Sequence, residues 1–204
     1  MTKKSKLNII LPIAFTAALL ASMIYCGEFA SSGSMFKSVL QLSAIYMLLA
    51  VSLNLLNGFT GLFSLGQAGF MTIGAYTYAI FTIPVKSRAS VYYLYGVADW
   101  LKNIELPVII ALIVAGLAAA LLAAIIGAPV LRLKSDYLAI ATLGFAEVVR
   151  IVVASSPLNK ITNGSLGLKK IPGFESYYGI FIVAFVCIAI IMLLLNSTYG
   201  RALK

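Results

Sequence analysis

The chain has 204 residues, of which 62% are hydrophobic and only 10% charged, whereas a water-soluble domain carries roughly 25% charged residues. Its 15 Lys and Arg outweigh 6 Asp and Glu to give +9. These cations lie scattered between apolar runs, so they read as flanking charges at anionic lipid surfaces and not as a nucleic-acid face. The absence of histidine removes imidazole from any acid–base, nucleophilic or metal scheme.

So much apolar surface needs lipid as its solvent, and a backbone in lipid must close its hydrogen bonds within helices or a sealed barrel. The apolar stretches are continuous and not alternating, which selects helices. The expected fold is all-α, a polytopic transmembrane bundle of about six segments forming one domain over residues 1–204.

The first run, Leu7 to Gly27, follows the basic start Lys3, Lys4 and Lys6. It is longer than a signal-peptide core and lacks an Ala-x-Ala site, so it reads as an uncleaved helix. A second run spans Ser38 to Asn57, and a third begins within the glycine-rich stretch Gly58 to Gly74 and ends near Pro84. Val85 to Pro107 reads as an external loop with a short interfacial helix, its Arg88, Lys86 and Lys102 being loop cations and its Tyr92, Tyr93, Tyr95 and Trp100 boundary aromatics. Val108 to Leu131 is the cleanest span. A charged turn over Arg132 to Asp136 leads into Tyr137 to Val153, which carries Glu147 and Arg150. Ala154 to Tyr177 is polar and rich in turn residues, Tyr178 to Leu195 is the last span, and Asn196 to Lys204 is a basic tail. Cys26 and Cys187 sit inside apolar runs as small hydrophobes. Basic residues are denser in the segments that an internal N-terminus would place inside, which puts the N-terminus in the cytoplasm.

Two features invite function. From Asn57 to Tyr76 the glycines allow either a tight turn with a packing seam or a broken helix facing a transport path. Ser64, Ala68, Thr72, Ala75 and Ala79 would share one stripe if the helix has begun by Ser64. In the fourth run Gly116, Ala120, Ala124 and Ala128 recur every four residues, with Ala119, Ala123 and Gly127 alongside, as a second small-residue face expected to pack. Glu147 and Arg150 share a helix face. If that helix starts near Tyr137, Glu147 lies ~15 Å deep, near the middle of a ~30 Å hydrocarbon core. Three readings stand for this pair: the wall of a wet pathway, a neutralised pair inside the bundle, or a re-entrant segment whose charges meet water. There is no Gly-x-x-x-x-Gly-Lys-Ser/Thr loop for nucleotide phosphates, no metal-spaced cysteine pair and little acid–base inventory. The chain is therefore not expected to be an enzyme or to need a cofactor, and any ATP would be hydrolysed by another subunit.

Three blocks resemble a known family. They are Leu53 to Phe70 with Gly74-Ala-Tyr76, Leu131 to Arg150, and Asn163-Gly-Ser-Leu-Gly167 with Ser197 to Ala202. In this order they are similar to the membrane permease subunits of bacterial ABC importers for branched-chain amino acids, the LivM-type branch. Permeases of urea and amide importers look alike and stand as the alternative cargo. The resemblance implies a second permease subunit, two cytoplasmic ATPase subunits, an external binding protein and residence in the bacterial inner membrane. It implies that Ser64, Gly66, Gln67, Gly69, Glu147 and Arg150 line the pathway, with Gln67 standing where the family often has histidine. It also implies that Gly200, Arg201 and Ala202 open the segment that docks on the ATPase. Family members continue beyond this point, so the resemblance implies the front part of a longer, C-terminally truncated domain. A non-transporting membrane scaffold is the reading that such a stop would favour.

Overall fold

A computed structural model describes residues 35–133, 135–174, 176–198 and 200. Every regular element among them is helical. In chain order these are α1 (Met35–Asn54), prolonged by a π turn (Leu55–Phe59), α2 (Gln67–Thr82), α3 (Val85–Val91), a 3-10 turn (Asp99–Leu101) and α4 (Val108–Val130). Then come α5 (Ser135–Val153), a 3-10 turn (Ser156–Leu158), α6 (Asn159–Thr162), a 3-10 turn (Gly164–Leu166) and α7 (Gly179–Asn196). Among the described residues, three spans are long and apolar enough to cross a membrane unaided: Met35–Phe59, Val108–Val130 and Gly179–Asn196. Two bent pairs, Gln67–Thr82 with Val85–Val91 and Tyr137–Val153 with Ser156–Thr162, raise the count to as many as five. The run expected from Leu7 to Gly27 lies outside the described residues.

Proline sets the breaks. Ile83 precedes Pro84 and takes an extended conformation (φ −60°, ψ 122°), because a residue before proline is driven out of the helical region. The chain then bends by 119° into α3. Pro129 stands in the last turn of α4, where it has no N–H for the ladder, and the helix ends at Val130. The Ser156–Leu158 turn holds Pro157 and follows α5 after a 54° bend.

By packing, the chain divides into two compact units, residues 1–51 with 175–197 and residues 52–174 with 198–204. In the first, the Lys37 ammonium lies 5.2 Å from the centre of the Tyr177 ring. Tyr177 in turn meets the rings of Tyr178 and Phe181 at 5.4 and 5.2 Å. A cation over an aromatic face suits the polar edge of a bilayer.

In the second unit α2 packs chiefly on α4 and secondarily on α5. Its buried residues are Gly69, Ala79 and Thr82 on α2, Ala111 and Ala115 on α4, and Leu138 and Thr142 on α5. Small residues dominate because, among lipid tails, helices gain by backbone approach and not by hiding grease. Two expectations are corrected here. α2 starts at Gln67, so Ser64 lies ahead of the helix, and of the rest of its stripe Ala79 is buried and Thr72 half-buried, while Ala68 and Ala75 are exposed in this chain. On α4 the expected small-residue face divides: Ala119, Ala123 and Gly127 are half-buried and continue the inward line of Ala111 and Ala115, whereas Gly116, Ala120, Ala124 and Ala128 are exposed in this chain. Both lines have the same spacing, and which one is covered depends on how the helix is rotated against its neighbours.

Beyond the membrane helices the same unit builds a hydrogen-bonded cap from residues 83–107 and 154–174. Ile83, Val91 and Tyr92 form its core, joined by Val97 and Leu168. Arg88, expected as a loop cation, is instead only 3% exposed. Its guanidinium donates to the carbonyls of Ile83, Leu101 and Ile104. Glu105 accepts the Val85 N–H at 3.0 Å, placing an anion at the start of α3. Tyr92 Oη donates to Ile161 O at 2.7 Å, and Asn163 Nδ2 to Val91 O at 3.1 Å and Gly167 O at 2.8 Å. Asn163 adopts the left-handed conformation (φ 60°) that closes α6, a position asparagine tolerates. Burial pushes the Tyr92 phenol up to about 12, against the opposing pull of the nearby Arg88 cation.

Candidate functional site: a broken segment held against α5

The segment from Asn54 to Gly69 interrupts the membrane helices. α1 loosens into its π turn at Leu55–Phe59, a device that inserts a residue into a helix and recurs at functional positions. A Cβ on Gly58 would meet only the far end of the Asn54 side chain, which would have to turn aside. Gly61 takes φ +66° and turns the chain. The loop is then tied at its polar atoms. Ser64 N donates to Asn57 Oδ1 at 3.1 Å, Leu65 N to Thr142 Oγ1 at 3.0 Å, and Gly66 N to Ser64 Oγ at 3.4 Å. Gln67 Nε2 donates to Ser52 Oγ at 2.8 Å, joining the start of α2 to the end of α1.

α5 supplies the other wall. A Cβ on Gly66 would sit 3.3 Å from Thr142 Cβ, and one on Gly69 would sit 2.9 Å from Ala146 Cα and 3.2 Å from the Phe145 ring. Gly69 is therefore a true point of backbone approach, closed off by the Phe70 and Phe145 rings at 5.3 Å. Thr142 Oγ1 also lies 2.9 Å from Leu138 O and 3.0 Å from Ala139 O within its own helix, so its hydroxyl hydrogen is used internally while a lone pair faces the loop.

Glu147 and Arg150 bond to each other, with Arg150 Nε 2.9 Å from Glu147 Oε2 and Nη2 2.5 Å from Oε1. The two side chains are 53% and 71% exposed in this chain. Their neighbours on α5, Leu143, Val148 and Ile151, are apolar and equally open. Among the described residues no hydrogen bond or ion pair joins this pair to the loop. Among the described residues, nothing else in this chain encloses the pair.

The structure thus gathers Ser64, Gly66, Gln67 and Gly69 into one knot and puts Glu147 and Arg150 on the helix that braces it. Gly200 is helical and buried, whereas Arg201 and Ala202 lie outside the described residues. Sequence reasoning missed Thr142, Asn57 and Ser52. A lone threonine inside the apolar run Tyr137 to Val153 was the available signal for Thr142. A cavity of about 390 Å³ lies apart in the cap, lined by Arg88, Tyr92, Lys102 and Asn103 among others. Arg88 gives three of its five N–H donors to carbonyls there and so organises the cap. No group of His, Cys, Asp and Glu among the described residues could hold a metal ion.

A family model for the permease component of the branched-chain amino acid transport system matches residues 35–204. The high-affinity branched-chain amino acid transport system permease protein LivM of Escherichia coli (strain K12) is 37% identical over 158 residues, covering 78% of this chain and 32% of the relative. The protein of the same name from Salmonella typhimurium (strain LT2) gives the same figures, 37% over 158 residues. The match spans about a third of the length of these curated relatives, 32% of each. No solved structure matches the chain.

Proposed function

The chain belongs to the family of permease components of branched-chain amino acid transport systems, and from that premise we propose that it forms one wall of the translocation pathway of an ATP-driven importer whose cargo is a branched-chain amino acid. The observation that carries this reading is the Glu147–Arg150 pair, open to its surroundings on an otherwise apolar membrane helix. Charge facing lipid tails is costly, and ionisable residues inside membrane segments almost always face a bundle interior or a water-filled cavity. α5 therefore turns this face toward water or a partner bundle. The same helix braces a broken, glycine-bearing segment, the kind of backbone that membranes tolerate only where it lines a cavity or is buried in protein.

In this reading Gly66 and Gly69 let the backbones close up, and Ser64 and Gln67 offer hydrogen bonds at the break. Glu147 with Arg150 meets the zwitterionic cargo or fixes the wall. The relatives' permease role brings with it a second permease subunit, two cytoplasmic ATPase subunits and an external binding protein. ATP is hydrolysed in the ATPase subunits, and Gly200, Arg201 and Ala202 lead toward them. The chain sits in the bacterial cytoplasmic membrane with its N-terminus inside.

The test is uptake of radiolabelled leucine in cells carrying the full partner set. Glu147→Gln leaves the Arg150 cation alone and lowers uptake roughly tenfold or more at equal membrane abundance, and Arg150→Gln does the same. Full uptake in both variants removes the pair from the pathway. No leucine uptake by the unaltered complex rejects the cargo.

A further inference from the structure

We propose that Thr142 is a positioning residue for transport: its hydroxyl oxygen tethers the broken segment to α5 and so holds Ser64 to Gly69 in register with the wall that carries Glu147 and Arg150. This rests on the transport reading above but adds a residue and a linkage to it.

Thr142 is buried, a polar side chain in the middle of a largely apolar helix. Its Oγ1 lies within bonding distance of the Leu138 and Ala139 carbonyls at 2.9 and 3.0 Å. The one hydroxyl hydrogen is shared between those carbonyls, which leaves a lone pair of the oxygen to accept the Leu65 N–H at 3.0 Å. Leu65 lies in a stretch without helical ladder bonds, and a backbone donor left bare in a membrane is expensive. The other two polar ties in the loop, Ser64 N to Asn57 Oδ1 and Gly66 N to Ser64 Oγ, stay on the α1 side or within the loop itself. Among the hydrogen bonds found for Ser64, Leu65 and Gly66, only that of Leu65 reaches α5.

The next turn of α5 adds the steric half of the joint. Phe145 and Ala146 close on Gly69 and Phe70, and Glu147 follows directly. A movement of α5 that displaces the ion pair therefore carries the loop with it through Thr142, and a loop released from Thr142 moves alone.

The experiment introduces Leu65→Cys into the chain with Cys26→Ala and Cys187→Ala, assembled with its partner subunits in membranes. The labelling rate with N-ethylmaleimide is followed in three backgrounds: Thr142, Thr142→Val and Thr142→Ser. Valine keeps the volume and loses the acceptor, whereas serine keeps the acceptor. Thr142→Val is expected to label about fivefold faster, the population change that loss of one intramolecular hydrogen bond produces, with Thr142→Ser close to the parent. In the chain with its native Leu65, Thr142→Val lowers leucine uptake several-fold at equal abundance, and Thr142→Ser restores it. Equal labelling with Thr142 and Thr142→Val, including no reaction in either, overturns the tether. Faster labelling with unchanged uptake overturns its part in transport. A parent complex that takes up no leucine defeats the transport reading instead, and the labelling rates then decide the tether by themselves.

Discussion

Within the second compact unit, the membrane helices and the cap are built on opposite rules. Along α2 and α4 the buried residues are Gly69, Ala79, Thr82, Ala111 and Ala115, while Ile109, Ile113, Leu117 and Leu121 point outward. In the cap the large residues Ile83, Tyr92 and Leu101 are buried and the connections are polar: Arg88 to three carbonyls, Tyr92 to Ile161 O, Asn163 to Val91 O and Gly167 O. The difference is the one that solvent would produce if lipid surrounds the long helices and water the cap. In lipid a leucine gains nothing by hiding, so contact is made by shape; in water the ordinary burial of large side chains returns.

The contrast can be broken most forcefully at Arg88. Arg88→Met keeps most of the volume and strands three carbonyls, at a cost of about 3 kcal/mol or more. Limited proteolysis of the detergent-purified protein should show the 83–107 segment opening while α2 and α4 stay protected. Simultaneous loss of the helices would mean that cap and bundle do not differ in what holds them. A middle-sized effect is expected at Gly69. Its missing Cβ would lie 2.9 Å from backbone atom Ala146 Cα, so Gly69→Val overpacks the α2–α5 contact by about 1–3 kcal/mol. Gly116→Val, with nothing within 4 Å, should leave the melting temperature of this chain unaltered. Equal damage from the two would contradict the shape-based packing.

The smallest effect is the titration of Tyr92. Its folded value of about 12 lies above the ordinary 10.0, so the folded protein binds more protons between those values. Stability is therefore fully present below pH 10 and falls as pH rises toward 12. Melting curves at about pH 9 and about pH 11 should separate for the parent protein, and less so for Tyr92→Phe.

The long apolar helices were plain in the sequence. Val108 to Leu131 was expected and Val108–Val130 is found, and Tyr178 to Leu195 became Gly179–Asn196, because span length and proline are local signals. The glycine break was legible as a break, but its form was not. Ser64 was placed in a helix that begins at Gln67, since a π turn and a left-handed glycine leave no periodic trace. What holds the site was invisible for a different reason. Leu65 and Thr142 are 77 residues apart, Tyr92 and Ile161 are 69 apart, and Asn163 and Val91 are 72 apart. Arg88 looked like any flanking cation until its carbonyl partners were in place. Likewise the outward line on α4 has the same four-residue rhythm as the inward one, and only the neighbouring helices choose between them.

The acceptors of the cap's Arg88, Tyr92 and Asn163 links are main-chain oxygens, those of Ile83, Val91, Leu101, Ile104, Ile161 and Gly167, as is Pro172 O for Tyr78. Every residue type carries that atom, so the donor half of each link is irreplaceable and the acceptor half is free to drift in identity. Statistical coupling between positions would register nothing at these joints, and a mutational scan would find a few intolerant donors opposite partners that accept nearly any side chain of similar bulk.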